Sequence, residues 1–182
     1  MSTPFRLVIP RSLYDRMVAQ AVAELPYECC GLLAGRIVAE GGAMPDERVG
    51  RVLECYPLVN AAASPVEYES EPRSMFAADR AMRQRGLDAL AVYHSHPTTG
   101  PVPSRKDLER NYYGEEVVHL IISLRAGEPE VRGWWLRAKD FREAEWEVVA
   151  GAGERMNENS PTPASGGVSP WRGRAENDPQ PQ

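Results

Sequence analysis

Ala89-Leu90-Ala91-Val92-Tyr93-His94-Ser95-His96, running on through Pro97 to Ser104 and Asp107, decides how this chain folds and what it carries. Ala89 to His94 is a short, mostly apolar run that reads as a central strand. On a strand, residues i and i+2 share a face and lie roughly 6.6 Å apart along the backbone. Two imidazoles so placed can converge on one ion at Zn–N distances of about 2.0–2.1 Å. The Pro-rich stretch Pro97 to Pro103 then returns the chain, so that Asp107 on the next short helix can supply a third ligand. Two neutral histidines and one carboxylate leave residual positive charge and an open fourth position. That is the pattern of a catalytic zinc, since structural sites are usually closed by cysteines. Ser104-x-x-Asp107 is also a helix capping box, and the two roles are compatible because a cap fixes the helix that presents Asp107.

A zinc site that activates water lowers that water's pKa from 15.7 to about 7 and needs a nearby carboxylate to collect the proton. Glu28, within Pro26-Tyr27-Glu28-Cys29-Cys30-Gly31, is the candidate, because it stands at the mouth of a buried-looking strand. The ordinary alternative is a strand-end carboxylate facing solvent.

Working outward, Phe5 to Pro10 reads as a first strand, and Ser12 offers an N-cap to a helix with Leu13, Met17, Val18, Ala21, Val22 and Leu25 at helical spacing. Pro26 ends that helix. Cys29 to Ala39 and Arg51 to Asn60 read as the arms of a long hairpin about a charged, Gly-rich turn, Glu40 to Gly50. A loop, Ala61 to Ser70, precedes a second helix that starts at Pro72, carries Met75, Phe76, Asp79 and Met82, and stops at Gly86. Ser104 to Tyr112 reads as a short helix, and Val117 to Leu124, Glu130 to Arg137 and Ala144 to Val149 as three closing strands. This order implies an α/β or α+β layer, a mixed sheet flanked by helices. Residues 1–150 are expected to form one domain. From 151 to 182 the chain is rich in Pro, Gly, Ser and Asn and is expected to be a disordered tail.

Net charge is -5 with no basic stripe, which gives no reason to expect nucleic acid. No segment approaches the roughly 20 apolar residues that span a bilayer, and MSTPFRLVIP does not read as a secretory signal. The cysteines Cys29, Cys30 and Cys55 are odd in number, so a reduced, cytoplasmic protein is expected. Cys29 and Cys30 with His94 or His96 could suggest a Cys–His protease, but unpaired cysteine is more often buried packing. His119, in an apolar run, reads as a structural histidine. Trp134 and Trp135 alternate across a strand, so one is expected in the core and the other toward solvent. Asn60 and Tyr68 are weak candidates for substrate contact.

Taken together, Glu28 followed at a distance by His94-Ser95-His96, a seven-residue gap opening with Pro97, and Ser104-x-x-Asp107 resembles the JAMM metalloproteases, the metal-binding class of MPN or JAB domains. Glu-Cys-Cys-Gly-Leu-Leu-Ala-Gly at 28–35 is similar to bacterial and archaeal members, and the likeness extends over roughly Leu7 to Val149. The resemblance implies a JAB/MPN-like, cytidine-deaminase-like architecture holding one zinc per chain on His94, His96 and Asp107. It further implies Glu28 as general acid/base and Ser104 as the donor to the oxyanion. The implied substrate is an amide or isopeptide bond at the C-terminal tail of a ubiquitin-like or sulfur-carrier protein of the β-grasp type. With no cysteine after Cys55 and one histidine after His96, the ligands for a second, structural zinc are missing. A zinc amidase acting on a small peptide or cell-wall fragment, and a non-catalytic MPN binding scaffold, remain as other readings.

Overall fold

A computed structural model describes residues 4–40 and 47–151. The elements run β1 (Arg6–Pro10), α1 (Arg11–Ala23), β2 (Cys30–Glu40), β3 (Glu47–Leu58), α2 (Pro72–Arg85), β4 (Asp88–His96), α3 (Arg105–Glu109), β5 (Val118–Ser123), β6 (Glu130–Leu136), β7 (Phe141–Glu143) and β8 (Trp146–Val149). All eight strands join one mixed sheet in the order β7-β6-β5-β4-β2-β3-β1-β8. The long hairpin is antiparallel, from Cys30↔Leu58 to Glu40↔Glu47, and its turn lies outside the described residues. So do residues 152–182, most of the expected tail. β2 also pairs antiparallel with β4, and β4 runs parallel to β5.

The sheet curls until its two halves meet. Phe5, one residue before β1, packs edge-on against Trp135 of β6 with ring centroids 5.1 Å apart. Four strands separate β1 from β6 in the sheet order. A flat sheet would therefore hold them roughly 24 Å apart at the usual inter-strand spacing. The link between β7 and β8 seals the seam, with Ala144 N–H donating to Gly133 C=O at 2.8 Å and Leu7 N–H to Glu145 C=O at 3.0 Å. Within the curl, α1 packs Met17 and Ala21 on Leu7, Ile9, Leu33, Tyr93, Leu120 and Trp135. On the other face, α2 packs Ala78 and Met82 against Leu32, Leu58 and Val92. The short α3 contributes Leu108 to a third cluster with Ile121, Trp134 and Leu136.

Several local expectations need correcting. Helix α1 starts one residue before Ser12, with Pro10 in the N-cap position and no side-chain cap, because the fixed proline φ already turns the chain into the helix. Val22 and Leu25, which fit the helical stripe, are about half exposed: Val22 faces outward within α1, and Leu25 lies past the helix end at Ala23. Phe76 is 74% exposed, and the buried positions of α2 are Ala78 and Met82. The third helix stops at Glu109, well short of Tyr112. The last predicted strand, Ala144 to Val149, is found as β8, and β7 is a further short strand before it that the pattern does not predict. Trp134 and Trp135 are both buried: Trp135 faces the α1 core, while Trp134 donates its indole N–H to Pro101 C=O at 2.8 Å.

The second helix begins and ends as its sequence signals. Glu71 caps Ser74 N–H at 2.7 Å, Pro72 sits in the first turn, and Gly86 closes the helix in the left-handed region at φ 62°. Leu33 is fully buried at the centre of the sheet, so Leu33→Ala should cost about 2–5 kcal/mol in denaturant unfolding. A loss below 1 kcal/mol would contradict this placement of the core.

Candidate metal centre

Strand alternation sorts β4 between the two faces of the sheet. Ala91 and Tyr93 enter the α1 core and Val92 the α2 core, so His94 and His96 share the α2–α3 face. Ser95 takes the opposite face, where its Oγ accepts Cys29 N–H at 2.8 Å. Ser95 N–H in turn donates to Cys29 C=O at 3.1 Å. The register Cys30↔His94 is thereby carried past the end of β2, which sets Glu28 alongside His96 and on its face.

The three predicted ligands converge. His94 Nε2 lies 3.1 Å from His96 Nε2 and 3.2 Å from Asp107 Oδ1, and His96 Nε2 lies 3.7 Å from Asp107 Oδ2. A tetrahedral ion with ligand distances of about 2.0–2.1 Å requires edges of about 3.3 Å, which these bracket. His96 Nδ1–H donates to Gly100 C=O at 2.9 Å, leaving its Nε2 lone pair for an ion. Tyr68 stacks on the His94 ring at 4.6 Å and 26°. Among the described residues, His94, His96 and Asp107 are the one group whose ligand atoms cluster in this way.

Capping delivers the carboxylate. Ser104 Oγ accepts Asp107 N–H at 3.3 Å, and Ser104 N–H donates to Asp107 Oδ2 at 2.6 Å, a complete capping box on α3. Burial would raise the Asp107 pKa, but the charge of His94 and the hydrogen bonds from His94, His96 and Ser104 outweigh it and hold the carboxyl far below the usual range. It is an anion waiting beside two imidazoles. His96 is opposed by burial yet raised by its bond to Asp107, the Gly100 carbonyl and the nearby Glu28.

Glu28 is 5% exposed, which contradicts a solvent-facing strand end. Burial, opposed by His96 and aided by Asp107, lifts its carboxyl to about 7. The backbone of Glu28 is held on both sides. Its N–H donates to Ser64 C=O at 2.9 Å, and its C=O accepts Asn60 Nδ2–H at 2.9 Å. Asn60 Oδ1 also accepts Ala62 N–H and Glu69 N–H at 3.0 Å each, so one amide folds the 61–70 loop over Glu28. Asn60 thus holds the Glu28 backbone from behind, and Tyr68 packs directly on the His94 ring. Neither has a spacing signal that sequence could offer beyond its place near the second helix.

The cysteines do not take part. Burial pushes the Cys29 and Cys30 thiols up to about 12, and Cys30 Sγ lies near Leu58 C=O and Ser70 Oγ. A thiol held protonated is no nucleophile, so the Cys–His arrangement fails. A cavity of about 990 Å³ opens over the cluster, lined by Glu28, Tyr68, His96, Ser104, Asp107 and Tyr113 among others. Glu28 also borders a second depression of about 530 Å³ on the side of Leu25, Tyr27 and Val59. Of the site's groups, Glu28 alone borders both hollows.

His96→Ala should abolish stoichiometric metal binding in elemental analysis of the folded protein. Retention of one metal ion per chain in that variant would remove His96 from the group that holds it.

Residues 10–137 match the family model described as prokaryotic homologs of the JAB domain. The chain is 31% identical to the desampylase of Pyrococcus furiosus over 134 residues, 74% of this chain and 84% of that one. It is 35% identical to the CysO-cysteine peptidase of Mycobacterium tuberculosis over 107 residues, 59% of this chain and 66% of that one. Its fold is similar to a Desulfitobacterium hafniense protein solved in solution, with TM-score 0.68, 29% identity and coverage of 82% of this chain and 97% of that one. The chain belongs to the JAB-domain family, among its prokaryotic homologs.

Proposed function

We propose that the chain is a zinc metallopeptidase that hydrolyses an amide or isopeptide bond at the C-terminal tail of a ubiquitin-like or sulfur-carrier protein of the β-grasp type. The observation that carries this reading is a buried carboxylate, Glu28, placed beside a His94–His96–Asp107 cluster where two hollows meet. An extended tail can cross that junction with its globular body on one side and the group to be released on the other. The family membership and relatives named desampylase and CysO-cysteine peptidase support the same substrate class.

The two imidazoles and the carboxylate leave one position open, and zinc held there would lower the pKa of a water to about 7 and polarise the scissile carbonyl. Glu28 takes the proton as the water oxygen adds to the carbonyl carbon. It then delivers that proton to the departing nitrogen as the C–N bond breaks, giving a carboxylate and an amine. A carboxyl lifted to about 7 suits both halves of this exchange. Ser104 spends its acceptor on Asp107 N–H, so its own hydroxyl proton serves the oxyanion that develops on the carbonyl oxygen. Asn60 and Ser64 fix the Glu28 backbone, and Tyr68 fixes the His94 ring.

A cytoplasmic setting belongs to the same proposal. Three free, buried cysteines support it, and no described helix is long and apolar enough to cross a membrane.

The test is mass spectrometry of β-grasp carriers bearing extensions beyond a C-terminal Gly-Gly, incubated with the zinc-loaded protein and its Glu28→Gln variant. Cleavage after Gly-Gly is expected with the wild type, and a 10²–10⁴-fold lower rate with Glu28→Gln at unchanged zinc content. Wild-type turnover in Glu28→Gln would rule out Glu28 as the base. No cleavage of any carrier by the zinc-loaded protein would favour a small-molecule amide or a binding scaffold instead.

A further inference from the structure

The zinc ligand His94 has a second ring nitrogen that the site as described leaves unused. His94 is fully buried, and its Nδ1 has no hydrogen-bond partner in the protein. An Nε2 ligand is a neutral imidazole with its proton on Nδ1, so this atom is a buried N–H donor. Leaving such a donor unpaired is costly, and ligating histidines almost always pass that proton to a partner that fixes the tautomer and ring angle. His96 has such a partner in Gly100 C=O. His94 does not.

The next strand carries a second unexplained group. Val118 and Leu120 of β5 enter the α1 core, so His119 between them faces the opposite side, the face of His94. The register pairs Val92 with His119 and His94 with Ile121, which makes His94 and His119 diagonal neighbours, roughly 8 Å apart at the backbone from strand spacing and rise. His119 is 2% exposed, and neither ring nitrogen has a hydrogen-bond partner in the protein. Its nearest aromatic neighbour is Tyr113, edge-on at 6.3 Å, which offers packing and no hydrogen bond to the ring nitrogens. Two buried imidazoles on adjacent strands, each with orphaned nitrogens, are rare enough to require one explanation. A water between His94 Nδ1 and one His119 ring nitrogen gives each imidazole a partner, since a buried water needs two to four polar groups around it.

We propose that His119 is a positioning residue of the metal centre, accepting the His94 Nδ1–H through one bridging water and so presenting His94 Nε2 to the ion. His119 touches neither ion nor substrate; it acts on the ligand's orientation. The inference rests on the zinc reading above, and wild-type zinc binding serves as its control.

The experiment compares zinc affinity, by competition with a chromogenic chelator, in the full-length wild type, His119→Leu and His119→Gln. His119→Leu is expected to weaken zinc tenfold to a hundredfold while the metal-free protein keeps or raises its Tm, because leucine removes a costly buried imidazole without leaving a hole. His119→Gln, which can still accept a hydrogen bond, is expected to stay within about threefold of wild type. In ¹⁵N-labelled protein the His94 Nδ1–H signal should persist in wild type and His119→Gln and vanish in His119→Leu, a signature that packing alone would not move. Equal zinc affinity in His119→Leu and wild type would overturn the inference, as would equal losses in the leucine and glutamine variants. A wild type that binds no zinc would instead overturn the reading on which it rests.

Discussion

The pairing of Cys30 with His94 is the constraint on which the rest of the site depends. Because side chains alternate with a period of two, this register puts Glu28, His94 and His96 on one face of the sheet. A one-residue slip between β2 and β4 would put Glu28 on the opposite face of the sheet from His94 and His96. Ser95 guards against that slip. Its hydroxyl and its amide both bond to the Cys29 backbone, so the pairing holds to the last residue before Glu28. The cost of the arrangement is plain: four ionisable side chains, Glu28, His94, His96 and Asp107, lie largely buried together. Such a cluster is unfavourable on its own and is relieved when opposite charge or a cation joins it.

Beneath the site, a second polar network ties the same strands to α1. Tyr93 Oη donates to Gln20 Oε1. The Gln20 amide donates to Cys30 C=O at 3.1 Å and to Glu24 Oε1 at 2.8 Å. Gly31 leaves the space that the Tyr93 ring occupies, since any Cβ there would collide with it. The helix is thus fastened to the strand that pairs with His94 by a bond as well as by the curled apolar core. Rigid elements hold the ligands, and the loop that closes over them is organised by a single asparagine.

Much of this was legible in the chain. The His94-Ser95-His96 spacing declared which face would carry the imidazoles, and Ser104-x-x-Asp107 declared how α3 would begin, because both follow from local geometry that tertiary packing did not override. Pro72 and Gly86 marked the second helix for the same reason. What escaped was non-local. One of Trp134 and Trp135 reads as solvent-facing, because no local pattern shows that the Pro97–Pro103 segment returns to cover Trp134 through Pro101. Val22 and Leu25 fit the helical stripe, yet Val22 faces outward within α1 and Leu25 lies beyond its end. The curl of the sheet brings β1 against β6, far apart in sequence, and the short strand β7 forms by pairing with β6. Asn60, Tyr68 and His119 act through contacts that only the folded chain creates.

The central claim is that two histidines and one aspartate, with no sulfur, hold a catalytic zinc next to Glu28. Zinc K-edge X-ray absorption of the metal-loaded protein tests it most directly. The expected result is a four-coordinate first shell of nitrogen and oxygen at about 2.0–2.1 Å with the multiple scattering of two imidazoles. A sulfur shell at about 2.3 Å, which would bring Cys29 or Cys30 onto the metal, or a shell lacking imidazole, would contradict it.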